Sequence, residues 1–483
     1  MNTKHSLWFF LFLMTILRLR VSTQFGLGVD EAHYVLYGKI LGWSYFDHPP
    51  LVGWVQALFG LMPIDHLIQA RLSAMLISIL TSVLIFNFLR AKNISETHSL
   101  YAVATLNLTP LFNAMSVALL PDTLLMPLTL LIIISTEKVL LHSTLKNWVL
   151  LGLWLGLAGL SKYTAVLYIF SLLLIFTYLI FTQQKKITEL FKANLWVGVF
   201  VAAILISPVL YWNSKNNWIS FQYQADHVLS ADASILKNLG SSLLMQLISW
   251  GIGPFIVALI GFTALLKKYK NQKEFYITLV FLTVFLLFFI YVAVSEPLLP
   301  HWMLIYFILM IPLSYCYFLQ YKNYKKILIA SVVLSSLLSF TMLFELGFKV
   351  FPAKYTSTLY EGIQGWDAIV AKANDHLTEI NKPKKALAVM NWTLGSRAMY
   401  YNNKNSEVFV IDKRFDQFDI WAPQSNIGYE LLVIVEANKK MEHLAHLNCA
   451  QLTEVGEAKT LIKGIPVNHF LYYHCASYLE YKP

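Results

Sequence analysis

The sequence predicts a mostly α-helical protein: a multi-pass transmembrane bundle of about eleven or more helices, followed by a soluble α/β domain. The 483 residues are 57% hydrophobic and only 13% charged, and the mean hydropathy is +0.56. Many apolar runs approach or exceed the roughly 20 residues that cross a bilayer as a helix. After about residue 350 the apolar runs become short, and the composition becomes that of a soluble domain.

The formal net charge is +10, and a strongly basic charge is one feature of proteins that bind nucleic acids. Here, however, the lysines occur in short clusters between the apolar runs, as membrane insertion requires. We therefore expect membrane lipids around the protein and no nucleic-acid partner.

The first apolar run, Leu7 to Ile16, resembles the apolar core of a signal peptide. No small-residue cleavage site follows it before Arg18, so we interpret it as a spanning helix. Val52 to Met62 is predicted to be an amphipathic helix at the membrane interface. Gly152, Gly156 and Gly159 have the spacing of close helix packing. Spanning helices are predicted over about 7–21, 68–89, 99–119, 123–141, 148–160, 164–181, 195–211, 243–266, 276–294, a segment after 301, and 327–346.

The distribution of cations predicts the orientation of the chain. Loops rich in Lys and Arg alternate with loops that have few, which places the N-terminus in the cytoplasm and the residues after about 350 outside. Arg18 and Arg20 lie at the outer end of the first helix, against this rule, so they either snorkel or bind an anion. We assign residues 1–349 to the transmembrane domain, with a first outer loop over 22–66, and residues 350–483 to the soluble domain.

The C-terminal domain has three short apolar stretches typical of buried strands: Ala386 to Met390, Val408 to Ile411 and Leu431 to Val435. Cys449 and Cys475 both lie in this domain, whereas the third cysteine is in a spanning segment. One internal disulfide between these two residues is therefore a hypothesis.

The stretch from Val29 to Leu51 concentrates polar chemistry between apolar runs. Asp30, His33, Tyr34 and Tyr37 recur at helical spacing, so one helix face would present a carboxylate, an imidazole and two phenols. The adjacent Glu31 adds a second acid. Alternatively, Asp30 only caps the N-terminus of this helix.

A second polar group follows at Asp47-His48, where Pro49-Pro50 keeps the backbone extended until Leu51. Asp47 would brace a site, and His48 would bind a phosphate or a metal. The alternative is a turn in which Asp47 caps the next helix.

Asp122, in the segment LLPDTLL, is a carboxylate at a hinge between two apolar helices, where the Pro-Asp-Thr order also suits a helix N-cap. Lys162 is the cation at the outer end of another helix pair. With Arg71, Arg18 and Arg20 it would line an electropositive pocket for a lipid phosphate, unless each cation simply snorkels.

A divalent metal is an open alternative at these positions. His227 and His301 lie in predicted outer loops and would join Asp47 or His48 around an ion. The histidines lack the short fixed spacing of an established metal motif, so we assign no metal ligand.

Together these motifs resemble those of the large GT-C glycosyltransferases. The residues that carry the resemblance are an Asp-Glu pair after the first helix, an aromatic-acid-cation-Pro-Pro-Leu turn, a Pro-Asp hinge and a Gly-Leu-x-x-Leu-Ser-Lys turn. The chain is most similar to the bacterial branch with lipid A aminoarabinose transferase, lipopolysaccharide galacturonic acid transferases and relatives of protein O-mannosyltransferases. The likeness covers nearly the whole chain and is strongest at 26–56 and 118–126.

The resemblance implies transfer of a sugar from a polyprenyl-phosphate donor to an envelope acceptor, outside a bacterial inner membrane and with inversion. Lipid A, lipopolysaccharide core, another glycan or a protein would be the acceptor. The resemblance makes Asp30 the catalytic carboxylate, Asp122 the second acid and Lys162 the residue that holds the donor phosphate. The residues expected to bind substrate are Glu31, His33, Tyr34, Asp47, His48, Arg71 and Lys162.

Two other functions compete with this interpretation. A transporter or flippase usually has ionisable residues near the middle of the membrane and two related halves. Here the acids lie in the predicted outer loops and no internal repeat is found. A non-catalytic scaffold would leave the grouped acids unexplained.

Aminoarabinose transferases have Arg and Lys where this chain has His33 and His48. Two permanent cations are thus replaced by side chains that titrate near neutrality. If these imidazoles must be charged, we expect the transfer rate to fall as the pH rises above about 7. Rates measured in membranes between about pH 5.5 and 8 test this; a flat profile would remove the requirement for charged imidazoles.

Overall fold

The computed structural model describes residues 2–185, 192–229, 234–269, 273–404, 406–422 and 426–481. It divides into two compact units, one helical and one mixed α/β. The helical unit comprises Met1–Leu19, Gly42–Val55 and Arg71–Leu343; the α/β unit comprises Arg20–Leu41, Gln56–Ala70 and Phe344–Pro483. The α/β unit thus includes two segments of the predicted first outer loop, and the division at residues 349/350 stays a prediction.

The N-terminal two thirds of the chain is helical. Turns and loops separate the helices. In chain order they are α1 (Thr3–Ser22), α2 (Val29–Lys39), α3 (Leu51–Gly60), α4 (His66–Ala91), α5 (Glu96–Asn107), α6 (Pro110–Met115), α7 (Pro121–Leu141), α8 (Leu145–Ser161), α9 (Val166–Phe181), α10 (Ala193–Lys215), α11 (Ile219–Leu229), α12 (Ile235–Trp250), α13 (Ile252–Tyr269), α14 (Lys273–Ser295), α15 (Leu304–Phe318) and α16 (Lys325–Phe348).

Within the described ranges, 8 helices are long and apolar enough to cross a membrane, or up to 9 if the pair α12 and α13 forms one bent span. This confirms the multi-pass helical fold class. The predicted helix over 99–119 is instead two helices, since Pro110 begins α6 and cannot continue the hydrogen bonding of α5. The predicted helix over 243–266 bends by 112° at Gly251, whose φ of 79° suits glycine.

The break between α5 and α6 leaves backbone carbonyls that need donors, because lipid offers none. Ser339 donates to the carbonyl of Leu108 at 2.8 Å. Asn113 donates to the carbonyl of Asn107 at 2.9 Å. The break is therefore stabilised by polar side chains within the helical unit.

Close packing of α8 against α10 depends on small residues, as the glycine spacing predicted. A Cβ added to Gly152 would collide with the backbone of Gly198. Gly156 and Gly159 contact the side chains of Leu205 and Ile206 in the same way. The two helices approach closely because these positions have no side chain.

The α/β unit is built on a five-stranded sheet of order β2-β1-β3-β5-β4. The first three strands are parallel, and β5 pairs antiparallel with both β3 and β4. All three predicted strands are confirmed. In chain order the elements are α17 (Ala353–Tyr360), α18 (Trp366–Glu379), β1 (Lys385–Val389), α19 (Trp392–Tyr400), β2 (Val408–Val410), α20 (Gln417–Trp421), β3 (Glu430–Glu436), α21 (Lys440–Ala445), β4 (Leu447–Ile462) and β5 (Ile465–Tyr481).

Apolar residues on both faces of this sheet are buried. One core includes Trp366 and Ile369 of α18 with Leu387 of β1. The hypothesised disulfide is present: Cys449 of β4 is bonded to Cys475 of β5. It links the two strands of the long final hairpin, and Cys475 is fully buried.

Replacing Gly152 tests the close helix packing. Gly152→Leu places a branched side chain against the backbone of Gly198, so we expect a loss of about 1–3 kcal/mol of stability. The measurement is the thermal midpoint of the purified protein in detergent. Gly240→Ala is the control, because Gly240 lies in α12 with open space around it. Equal midpoints for both variants would contradict the packing argument.

Candidate functional site

Asp122 lies in the first turn of α7, which begins at Pro121 after the N-cap residue Leu120. The prediction that Asp122 caps this helix is wrong, because Thr123 takes that task by accepting a hydrogen bond from the Leu120 amide at 3.2 Å. The Asp122 side chain is only 3% exposed. Because this buried carboxylate does not cap the helix, it needs another partner within the helical unit.

That partner is Lys162, in the turn that follows α8. Its ammonium donates to both carboxylate oxygens of Asp122, at 2.8 and 2.7 Å. The Lys162 side chain is 13% exposed. Ser161 also donates to the carbonyl of Pro121 at 2.8 Å, which fixes the two helix ends side by side. The pairing of Asp122 with Lys162, 40 residues apart, is the centre of the candidate site.

His301 adds an imidazole to this pair. Its Nε2 lies 3.8 Å from Oδ2 of Asp122. The ring of the adjacent Trp302 faces Lys162, with 6.0 Å between Nζ and the ring centroid. Both residues belong to a short 3₁₀ turn, Pro300–Met303, that precedes α15. This turn thus places an imidazole beside Asp122 and an indole beside Lys162.

Polar side chains of α12 bind the segment that leads into this turn. Gln246 donates to the carbonyl of Leu299 at 3.0 Å, and Ser242 accepts from the amide of Leu298 at 2.8 Å. Asn238 donates to the carbonyl of Ser295 at 2.8 Å. These residues are four apart in sequence, so they share one helix face. The position of His301 is therefore set by a helix distant in sequence.

The Asp47-His48 turn also belongs to the helical unit. Nδ1 of His48 lies 3.2 Å from Oδ2 of Asp47, and His48 is within electrostatic range of Asp122 and His301. The backbone of this turn is held by α11, because Gln224 donates to the carbonyl of Asp47 at 2.9 Å. As the two prolines predicted, the next helix begins at Leu51.

Two tyrosines lie near the Asp47-His48 turn. Burial raises the pKa of Tyr45 to about 12, so its phenol stays neutral and accepts a hydrogen bond from the Gly42 amide. Tyr163, next to Lys162, lies 3.4 Å from the Ser44 hydroxyl. These contacts connect the segment from Gly42 to His48 with the turn after α8.

The arrangement suits an anion that enters beside Lys162. A buried ammonium, two imidazoles and neutral hydroxyls stabilise negative charge better than exposed groups do, because little water screens them. Asp122 keeps the ammonium in place before any ligand arrives. Phosphate is an anion that such a set of donors binds well.

Asp30 and Glu31 lie in the α/β unit, in the first turn of α2. Gly28 is the N-cap, and Glu31 accepts a hydrogen bond from its amide at 3.0 Å. The alternative in which Asp30 caps the helix is therefore wrong: the Glu31 carboxylate does so. Asp30 is half-buried and follows the helix start directly, where the helix dipole favours a carboxylate anion.

His33 is buried in an aromatic cluster of the α/β unit. Its Nδ1 lies 3.0 Å from the Ser396 hydroxyl and its Nε2 lies 3.0 Å from the Tyr37 hydroxyl. The ring centroid of Trp392 is 5.4 Å away. Each hydroxyl can donate to or accept from a ring nitrogen, so the direction of these two bonds depends on the tautomer of His33. Tyr34 packs edge-on against His33.

Arg18 does not form part of the predicted electropositive pocket around Lys162. Its guanidinium is 1% exposed and donates to the side-chain oxygens of Asn113 and Asn107 at 3.0 and 3.1 Å. Arg18 thus binds the broken helix α5 and α6 rather than snorkelling. Arg71 is fully buried in α4, and Arg20 is exposed and stacks on Phe348.

Metal ligands do not gather among the residues that the structure describes: no group of three or more His, Cys, Asp or Glu side chains is suitably placed. The side chain of His227 lies outside the described residues. The sequence indicates His301 as a possible metal ligand, and the run Pro300-His301-Trp302 after a polar turn points to the same segment. Tyr163 directly follows Lys162 in the sequence but is not among the predicted site residues.

The comparisons with known proteins agree with this architecture. Residues 47–212 match the family model described as dolichyl-phosphate-mannose-protein mannosyltransferase. This range includes Asp47, His48, Asp122 and Lys162. No curated protein matches the chain.

Two solved structures share the fold over nearly the whole chain. ArnT from Cupriavidus metallidurans in the apo state is 12% identical, covers 98% of both chains and gives a TM-score of 0.64. The same protein bound to undecaprenyl phosphate is 13% identical, covers 98% of both chains and gives a TM-score of 0.62. The chain therefore has the GT-C fold of ArnT, and the resemblance found in the sequence is confirmed.

The buried ion pair makes a prediction about stability. Lys162→Met leaves the Asp122 carboxylate buried without its cation, and breaking a buried pair in this way costs about 3 kcal/mol or more. The double variant with Asp122→Asn removes both charges, so we expect it to regain most of the loss. Thermal midpoints in detergent compare the two variants. A double variant as unstable as the single one would argue against the pair as the cause.

Proposed function

We propose that this protein is an inverting glycosyltransferase that moves a sugar from a polyprenyl-phosphate carrier to an envelope acceptor. The observation that supports this most directly is the buried pair of Lys162 and Asp122 with His301 beside it. A preformed cation at one end of a membrane bundle suits a phosphate that hangs from a lipid tail. The fold of ArnT, which has been solved with undecaprenyl phosphate, supports the same carrier.

In this proposal Lys162 binds the donor phosphate. Asp122 holds the ammonium in position and His48 and His301 add hydrogen-bond donors around the phosphate oxygens. The leaving group is a phosphate whose negative charge increases as the bond to the sugar breaks. A cation already in place stabilises that charge more in the transition state than in the ground state.

A groove in the helical unit suits the lipid tail. It has a volume of about 700 Å³ and lies between α9 and α14. Its lining is apolar along most of its length, with Leu167 and Leu174 on one side and Leu287 on the other. Leu167 is only five residues beyond Lys162 in sequence, so a tail in this groove would start close to the bound phosphate.

We assign the base to Asp30, on the strength of the Asp-Glu motif. The acceptor hydroxyl attacks the anomeric carbon, the bond from that carbon to the phosphate oxygen breaks, and the electron pair leaves with the polyprenyl phosphate. Asp30 takes the hydroxyl proton as the new glycosidic bond forms on the opposite face, which inverts the centre. Glu31, His33, Tyr34, Asp47, His48 and Arg71 are proposed to shape the substrate site.

The reaction is proposed to occur outside the inner membrane of a bacterium, on lipid A, lipopolysaccharide core, another glycan or a protein. The disulfide between Cys449 and Cys475 supports an oxidising compartment for the C-terminal domain. The lysine-rich loops support a cytoplasmic N-terminus. A transporter is not favoured, because the fold is that of ArnT.

The test of the catalytic role is Asp30→Asn. Without the base we expect transfer from a labelled polyprenyl-phosphate sugar to fall about 10²–10⁴-fold. The assay uses purified full-length protein in proteoliposomes with extracted envelope lipids as acceptors.

Asp375→Asn is the matched control. Its carboxylate is 70% exposed and pairs with Lys404 on the surface of the α/β unit, so this change should leave transfer intact. Undiminished transfer by Asp30→Asn at equal protein would exclude Asp30 as the base.

A further inference from the structure

A second cavity lies wholly within the α/β unit. It has a volume of about 580 Å³, which lies within the usual range for ligand pockets. Five stretches of chain form its walls: residues 23–26 after α1, the end of α2, the start of α4, the residues around the start of α18 and the end of α19 with the residues after it. None of these residues belongs to the Asp122 and Lys162 site.

Three ionisable side chains line this cavity. Lys39 contributes an ammonium, His66 an imidazole and Asp367 a carboxylate. Lys39 has no carboxylate within ion-pair distance among the described residues; its ammonium instead lies 4.7 Å from the ring centroid of Tyr400. Partial burial lowers the pKa of Lys39, as expected for an ammonium without a counter-ion.

His66 lies at the same aromatic ring. Its ring centroid is 6.2 Å from that of Tyr400, and its Nδ1 is 3.7 Å from the carboxylate of the exposed Asp65. Tyr400 is 7% exposed and packs edge-on against Tyr401 at 4.7 Å. Lys39 and His66 are thus held at one fixed aromatic surface.

The start of α18 adds polar groups to the lining. Its N-cap is Gly365, which has a φ of 77° and no side chain to cap the helix amides. Trp366 is 1% exposed, and its indole Nε1 has no hydrogen-bond partner, nor has Oε1 of Gln364. The partial positive charge of a helix N-terminus favours an anion in such a place.

The shape is set by close backbone contacts. A Cβ at Gly26 would collide with the carbonyl of Ile363 and the hydroxyl of Tyr401. That hydroxyl accepts a hydrogen bond from the amide of Leu27 at 2.9 Å. The cavity is therefore a built feature of this unit, fixed by hydrogen bonds and packing rather than by mobile side chains.

The lining combines what a sugar with a negative charge requires. The Lys39 ammonium suits a phosphate or carboxylate substituent, amides such as Gln24 and Asn403 suit hydroxyl groups, and aromatic rings such as Phe25 suit the apolar face of a sugar. A free phosphate ion would leave most of the volume empty. One carboxylate in the lining is too few for a metal ion.

We propose that this cavity is a binding site for an anionic saccharide, held by Lys39 and His66 over the ring of Tyr400. Its use as the acceptor site rests on the proposed function; its binding of the saccharide does not. The ligand is a free sugar phosphate or uronate, or the same group on a glycolipid head.

Binding to the full-length protein in nanodiscs, without donor, tests the proposal. The probes are glucosamine 1-phosphate and glucuronate, with N-acetylglucosamine and inorganic phosphate as comparisons, measured by calorimetry. We expect the anionic sugars to bind at least tenfold more tightly than both comparisons. A second arm places a phosphorylated diglucosamine glycolipid in the nanodisc; tighter binding there than of the soluble sugar identifies the lipid headgroup as the source.

Two variants locate the binding. Lys39→Gln should weaken it about tenfold, and Asn403→Trp should weaken it by filling the mouth of the cavity at an exposed position. Lys354→Gln is the matched control, because Lys354 is exposed, lies 4.7 Å from the ring of Tyr355 and does not line the cavity.

The outcomes separate this inference from the proposed function. No binding of either anionic sugar, equal binding of inorganic phosphate, or binding unchanged in both Lys39→Gln and Asn403→Trp would overturn the inference. Saccharide binding that depends on Lys39, in a protein that transfers no sugar, would support the binding site and count against the transferase.

Discussion

The buried pair of Lys162 and Asp122 is the interaction on which the helical unit depends. Two opposite charges at the end of a membrane bundle are stable only together, because either alone would lack both water and a counter-ion. Their contact fixes the start of α7 against the end of α8, and the bond from Ser161 to the carbonyl of Pro121 reinforces it. The same contact holds the Lys162 ammonium in position for a ligand. One ion pair therefore both fixes the two helix ends and prepares the site to bind an anion.

Two helix breaks, between α5 and α6 and between α12 and α13, are stabilised by polar contacts or position polar side chains. A break in lipid exposes backbone groups, and each must find a donor or acceptor inside the protein. Between α5 and α6 the donors are Arg18, Asn113 and Ser339. The bend at Gly251 separates α12 from α13, and the polar face of α12 binds the segment that leads into the turn with His301. The polar residues of these membrane helices thus have identifiable structural partners.

In the α/β unit, α2 has a comparable double role. Its middle is fixed by the contacts of His33 with Ser396 and an aromatic cluster. Its first turn carries Asp30, the proposed base, and its last residue is Lys39, which lines the saccharide cavity. A rigid helix with its side chains packed at the centre can position chemistry at both ends.

The sequence by itself determined the fold class, three strands of the sheet and the small-residue packing of α8. These follow from local composition and spacing, since apolar length, glycine interval and proline position act within one segment. Only the tertiary structure decided that Asp122 binds Lys162 instead of capping α7, that Glu31 caps α2, that Arg18 binds amides, and that His301 joins Asp122. The physical reason is that a polar side chain in an apolar surrounding takes whichever partner the fold brings near, and no spacing along the chain records that distance.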